Sequence, residues 1–101
     1  AKMEFEWDPL KDQSNLDKHR VDFEAAIGIW EGRVLERVDD RKNYGETRII
    51  AFGEVEGVVL AVVYTWRQKR RRIIFARKAS RDERTGYHQA QARRGLPPQR
   101  H

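Results

Sequence analysis

Between Val58 and Trp66 the chain reads VVLAVVYTW, nine residues of which only Thr65 is not apolar. The run is rich in β-branched and aromatic side chains and bounded by turn residues, so it predicts a strand. Because it is apolar at odd and even positions alike, both of its faces must be covered, which places it at the centre of a sheet. A second strand is expected over Thr47–Phe52, joined to the first through Gly53-Glu54-Val55-Glu56-Gly57 as a hairpin. After a turn at Gln68–Arg70, a third strand runs from Arg71 to Ala79 with Ile73, Ile74 and Phe75 at its middle. Val34–Val38 is a shorter strand candidate, and Asp39–Gly45 reads as a polar loop.

Helices are expected on either side of this meander. Asp8-Pro9 is a helix start, with Asp8 as cap and Pro9 in the first turn, where its missing N–H costs nothing. The helix to about His19 is polar, with Leu10 and Leu16 as its apolar anchors. From the cap Asp22, residues Phe23, Ala26, Ile27 and Trp30 fall at i, i+3, i+4 and i+7 and predict a second helix, packed on the core and ending near Gly32. Ser80-Arg81-Asp82-Glu83 has the form of a capping box and opens a last helix to about Arg94. Ahead of all these, Met3–Trp7 alternates apolar and acidic side chains, the period of a half-buried strand. The order is β-α-α-β-β-β-β-α, an α+β fold. At 101 residues the chain holds one domain, taken as 1–94, with 95–101 as a disordered tail.

Charge is unevenly placed. Arg67–Arg84, RQKRRRIIFARKASRDER, holds nine Lys or Arg against two acids, a net of +7, whereas the whole chain is +5. A basic stretch with an apolar strand inside it is a charged surface carried by a fold, which points to a polyanion and most simply to nucleic acid. The chain has no cysteine, which excludes disulfides and thiol chemistry. Its three histidines have no ligand spacing, so no metal and no cofactor is expected. No apolar run is long enough to span a membrane and no signal peptide is visible, so the expectation is a cytoplasmic protein with no membrane partner.

Two separated groups of residues carry a family resemblance. The first is Phe5, Trp7, Asp8, Lys11, Asn15, Lys18, His19, Val21, Phe23, Glu24 and Ala26. The second begins with Leu60, Val62, Val63, Thr65 and Arg67 and continues through Arg72, Ile73, Ile74, Ala76, Arg77, Ala79, Glu83, Arg84 and Tyr87. In this order and spacing the chain resembles the BrnT family, ribonuclease toxins of bacterial type II toxin–antitoxin systems. The resemblance spans residues 3–87, with a variable middle at 31–46. It implies a RelE-like fold: an antiparallel sheet with two N-terminal helices and a C-terminal helix packed on it. It also implies an RNA substrate, inhibition of translation and growth, and a BrnA-like ribbon-helix-helix antitoxin, in an assembly of two toxins with two antitoxins. Two positions depart from the family pattern. Arg20 stands where the family has Gly after Lys-His, and Phe75 where it often has Ser.

Metal-independent RNA cleavage needs the 2′-hydroxyl aligned on the adjacent phosphorus, a group to take its proton, positive charge for the phosphorane, and a proton for the leaving 5′-oxygen. RNA brings its own nucleophile. With the family as guide, the catalytic candidates are Arg67, Arg77, His19, Glu83 and Tyr87. Arg67 and Arg77 are read as sitting at comparable ends of two antiparallel strands and converging on one phosphate; the alternative is two surface salt bridges. His19 has the side-chain type that titrates near neutrality, although a helix C-terminus also favours it through the dipole. Glu83 is either a base or only the capping-box acid, and Tyr87, one turn on, either meets the substrate or packs on the sheet. Lys69, Arg70, Arg71, Arg72, Lys78 and Arg81 are candidates for the phosphate backbone, with a solvated charged turn as the alternative for Lys78 and the Lys69–Arg72 cluster. Phe75 is a candidate base-stacking ring, while Phe23 and Trp30 are assigned to the core. The competing functional classes are a nucleic-acid-binding module without catalysis and a protein–protein adaptor.

Overall fold

The computed structural model describes residues 3–95. Its elements are β1 (Phe5–Trp7), α1 (Pro9–His19), α2 (Phe23–Ala26) continuing into a 3₁₀-helix (Ile27–Glu31), β2 (Leu35–Asp39), β3 (Arg48–Val55), β4 (Val58–Arg67), β5 (Arg70–Lys78) and α3 (Arg81–Gly95). One five-stranded sheet holds them in the order β1-β5-β4-β3-β2. As its two-sided apolar pattern requires, β4 is central and buried from Val59 to Thr65. Leu60, Val62 and Tyr64 face a core made with Val21, Phe23, Ala26 and Ile29, on the α2 side. Val59, Ala61 and Val63 face a second core with Ile50, Phe52, Ala79 and Tyr87, on the α3 side. Among the described residues no helix is long and apolar enough to cross a membrane.

β2 to β5 form the expected antiparallel meander. To it β1 adds a parallel edge strand, Glu6 opposite Arg72, so the sheet as a whole is mixed. The hairpin between β3 and β4 is tighter than the glycines suggest. Val55 pairs with Val58, leaving Glu56-Gly57 as a two-residue turn with φ of 50° and 80°, the left-handed pair that matches strand twist. Gly53 therefore lies inside β3. A Cβ there would come 2.6 Å from the Ile29 Cβ, so glycine lets the 3₁₀-helix press against the sheet.

Two expectations about the helices are corrected. The α-helical part of the second helix ends at Ala26, and the chain then tightens into 3₁₀ geometry. A period of three replaces 3.6, so Phe23, Ala26 and Ile29 are the fully buried line, while Ile27 and Trp30 are half-buried against it. In α1 the apolar anchors are not anchors: Leu10 is 80% exposed and Leu16 37%. The buried residue is Asn15, whose Nδ2 donates to the Ala76 carbonyl (2.7 Å) and the Val21 carbonyl (2.8 Å), and whose Oδ1 accepts from the Ala76 N–H (3.1 Å). Beyond the end of β1, one side-chain amide satisfies the outer edge of β5 as another strand would.

Candidate active-site cleft

Asn15 sets the site. With its amide fixed on Ala76, the residue one turn later, His19, is brought onto β5, and its ring meets the Phe75 ring edge-on at 4.8 Å between centroids. Arg20 then closes the helix in the left-handed conformation, φ 60°, its N–H donating to the Leu16 carbonyl at 2.9 Å. The chain thus keeps the glycine-type cap with an arginine in it.

A cleft of about 490 Å³ opens beside His19. Lys11, Ser14, Lys18 and His19 of α1 wall it on the β5 side; Asp39, Arg41, Lys42, Tyr44 and Arg48 wall it on the β3 side. Ile50, Val63, Ile74, Phe75 and Arg77 make its floor. An irregularity in the β4–β5 register places Val63 opposite Phe75 and Tyr64 opposite Ile73, so Ile74 is an extra residue on β5. The basic side chains outnumber Asp39, the one carboxylate in the lining.

Arg77 is the most firmly held cation of the floor. Its Nη1 and Nη2 donate to Glu83 Oε1 and Oε2 at 2.7 and 2.9 Å, a bidentate pair. Glu83 in turn completes the capping box: its Oε1 accepts from the Ser80 N–H at 2.7 Å, and its own N–H donates to Ser80 Oγ at 3.2 Å. Chiefly through its hydrogen bonds to Arg77, the Glu83 carboxyl is pulled down to about 2, and the Arg77 guanidinium is raised in return. A carboxylate so stabilised is a weak base. Both Glu83 oxygens are engaged in holding the Arg77 guanidinium.

Arg41 is the second built-in cation. The Asp39 side chain is 3% exposed and accepts from Arg41 Nε (2.8 Å) and Nη2 (3.0 Å), with the Tyr44 hydroxyl at 3.5 Å. The Arg41 guanidinium holds the Asp39 carboxyl below the usual range, and its positive charge opposes that of Arg77 nearby. Lys42 and Arg48 both approach the Tyr44 ring, at 5.1 and 4.0 Å from its centroid. Among the described residues no three His, Cys, Asp or Glu side chains gather as metal ligands would.

Of the sequence candidates, His19, Phe75 and Arg77 share the cleft, with Glu83 behind Arg77. The convergence of Arg67 with Arg77 is corrected. Arg67 pairs with Arg70 at the β4–β5 turn and Arg77 with Ala61, six positions along β4, or roughly 20 Å. In an antiparallel hairpin the C-terminal ends of the two strands lie at opposite ends, so both residues cannot reach one phosphate. Tyr87 is 5% exposed, and its hydroxyl donates to the Arg33 carbonyl at 2.8 Å. Burial raises the hydroxyl's pKa, and the residue packs in the α3 core outside the cleft lining.

The basic cluster is divided as well. Arg70, Arg72 and Arg67 lie on the cleft face of the hairpin, being cross-strand partners in line with Phe75 and Arg77. Arg72 donates to Glu6 at 2.7 Å. Arg71 points to the opposite face, stacked over Trp66 (4.5 Å), Trp30 (5.3 Å) and Tyr64 (5.4 Å). Lys78 pairs with Leu60 and so belongs to that opposite face too. Lys69 is exposed in the turn, and Arg81 is exposed at the start of α3. Lys11 and Lys18 stand in the sequence only among the residues that carry the family resemblance; Asp39, Arg41, Lys42, Tyr44 and Arg48 are not singled out there at all. Their one signal is the Asp39/Arg41/Tyr44 spacing at the end of β2, which reads as an ordinary polar loop until the loop is seen to fold back over the sheet.

The fold and this geometry define a small α+β protein with a cationic cleft across one face of a mixed sheet. Residues 7–83 match the family model described as ribonuclease toxin, BrnT, of type II toxin–antitoxin system, and the chain belongs to that family. The crystal structure of the ribonuclease toxin BrnT of Brucella abortus is similar, with a TM-score of 0.58 and 27% identity, over 79% of this chain and 100% of that one. No curated protein sequence matches the chain.

Proposed function

We propose that the protein is an endoribonuclease toxin that cuts RNA in the cleft between α1 and the 39–48 segment, by attack of the 2′-hydroxyl on the adjacent phosphorus and without a metal ion. The new bond is O2′–P and the broken bond P–O5′, so the products end in a 2′,3′-cyclic phosphate and a 5′-hydroxyl. His19, the one histidine of the cleft lining, is the group that exchanges protons with the reacting oxygens. Arg77, with Arg41 across the floor, stabilises the added phosphorane charge. Both guanidiniums are already oriented by carboxylates, so little reorganisation accompanies the reaction. Phe75 offers a ring to a base beside the scissile phosphate.

The observation that carries the reading is the meeting of His19 with Phe75 and Arg77 in one cation-lined cleft, in a chain of this family. The family supports an RNA substrate and a cognate antitoxin; on our reading the protein acts in the cytoplasm and the antitoxin covers the cleft. We take that antitoxin to be BrnA-like, a ribbon-helix-helix dimer in a complex of two toxins and two antitoxins, inhibiting with an acidic segment. A second reading, a binding module without catalysis, draws on the engagement of Glu83 and Tyr87 elsewhere, which leaves His19 as a lone proton-transfer group. Incubation of purified protein with RNA in EDTA separates the two. Fragments ending in 2′,3′-cyclic phosphate are expected; intact RNA under tight, salt-sensitive binding would establish the module instead.

A further inference from the structure

The cleft is walled by α1 on one side and the 39–48 segment on the other, and Val63, Ile74, Phe75 and Arg77 of the β4–β5 hairpin lie in its floor. Its floor face does not end with Phe75. Cross-strand partners share a sheet face, and the pairs Ala61/Arg77, Val63/Phe75, Thr65/Arg72 and Arg67/Arg70 follow one another toward the turn. That face carries a cation or an aromatic ring at every step, over roughly 20 Å. At the turn end the cations are the freest. Arg67 is exposed with no ion pair among the described residues, and Arg70 is 54% exposed with only loose approaches to Glu4 (3.9 Å) and Glu6 (4.0 Å). Arg72, between them and the cleft, is tied to Glu6 and contributes less net charge.

We infer that the hairpin face is a binding track for single-stranded RNA, leading out of the cleft and over the turn, with Arg67 and Arg70 each neutralising one phosphate. This deepens the reading of the cleft as an RNA site and rests on it. A track of this length matches about four nucleotides, the low end of single-strand sites. It also gives Arg67 a role its distance from Arg77 otherwise denies it: holding the substrate several nucleotides from the cut.

Salt dependence tests the track directly. Each phosphate contact to a single strand contributes about 0.7 to the slope of log K against log salt. The probe is a twelve-nucleotide 2′-O-methyl RNA, which cannot be cut by 2′-hydroxyl attack, read by fluorescence anisotropy. The double variant R67A/R70A is expected to lose about 1.4 from that slope, and R67K/R70K to keep it. R93A/R94A removes the same charge from the exposed far end of α3 and is expected to leave the slope alone. Equal losses in the two alanine pairs, or none in R67A/R70A, overturn the track. Because the probe is uncleavable, those results stand apart from the cleavage assay: intact natural RNA sinks the ribonuclease reading even where the slope falls as expected.

Discussion

Arg77 and Arg67 lie toward opposite ends of one hairpin, within one basic stretch of sequence, yet their surroundings differ in kind. Arg77 is gripped by both oxygens of Glu83, which also caps α3, and Arg41 stands across from it on its own buried carboxylate. Arg67 is exposed beside a turn, with no ion pair among the described residues to fix its guanidinium. An oriented guanidinium can act on charge that develops at one point; a free one attracts charge without choosing where. The carboxylates, which lower the net charge of the cleft, are what distinguish a reaction site from a basic patch.

The largest expected effect lies with His19, the proposed proton-moving group. His19→Ala should lower single-turnover RNA cleavage by about 10³-fold with RNA affinity nearly unchanged; retention of more than a tenth of the rate removes His19 from the chemistry. Asp39→Asn weakens the grip on Arg41 while leaving the side chain's size, and a loss of about 10-fold in cleavage is expected, on the order of one charge-assisted hydrogen bond. Unchanged kinetics there would mean the 39–48 segment is only a wall.

Glu83→Gln sharpens the same contrast through stability. The folded carboxyl, at about 2, lies below its ordinary value of 4.5. Its contribution is therefore fully present above about pH 4.5 and is lost as pH falls toward 2. After screening of a partly exposed pair this amounts to roughly 1–2 kcal/mol. Urea midpoints should thus separate wild type from Glu83→Gln at pH 6 and approach each other near pH 3; a constant separation would contradict the pairing. The smallest effect is at Arg20, where a left-handed backbone carries a side chain. Arg20→Gly should raise stability by up to about 1 kcal/mol, read as an upward shift in the melting temperature, and a fall would mean that Arg20 makes a compensating contact.

What was legible in the sequence follows from where single-residue chemistry decides the outcome. The doubly apolar run of β4, the Asp8 cap and the Ser80/Glu83 capping box are local patterns, and each appears in the fold as read. The 3₁₀ tightening after Ala26 was hidden, because no local pattern shows that Ile29 packs closely against Gly53 of β3. Asn15 stood in the sequence only as part of the family pattern, because its partner Ala76 lies 61 positions away. The cleft was half legible. His19, Phe75 and Arg77 stood out as residue types, whereas the β2–β3 wall is made by a loop whose path no periodicity encodes. The pairing of Arg67 with Arg77 failed on direction alone, since antiparallel strands end at opposite sides.

The most direct test sets the two arginines against each other. Cleavage of one RNA in EDTA should be measured under single-turnover, saturating conditions for Arg77→Ala and Arg67→Ala side by side. A loss of 10²–10³-fold is expected for Arg77→Ala, against less than about 10-fold for Arg67→Ala, whose contribution to phosphate binding saturation masks. Equal losses, or a larger one at Arg67, would place the chemistry at the wrong end of the hairpin.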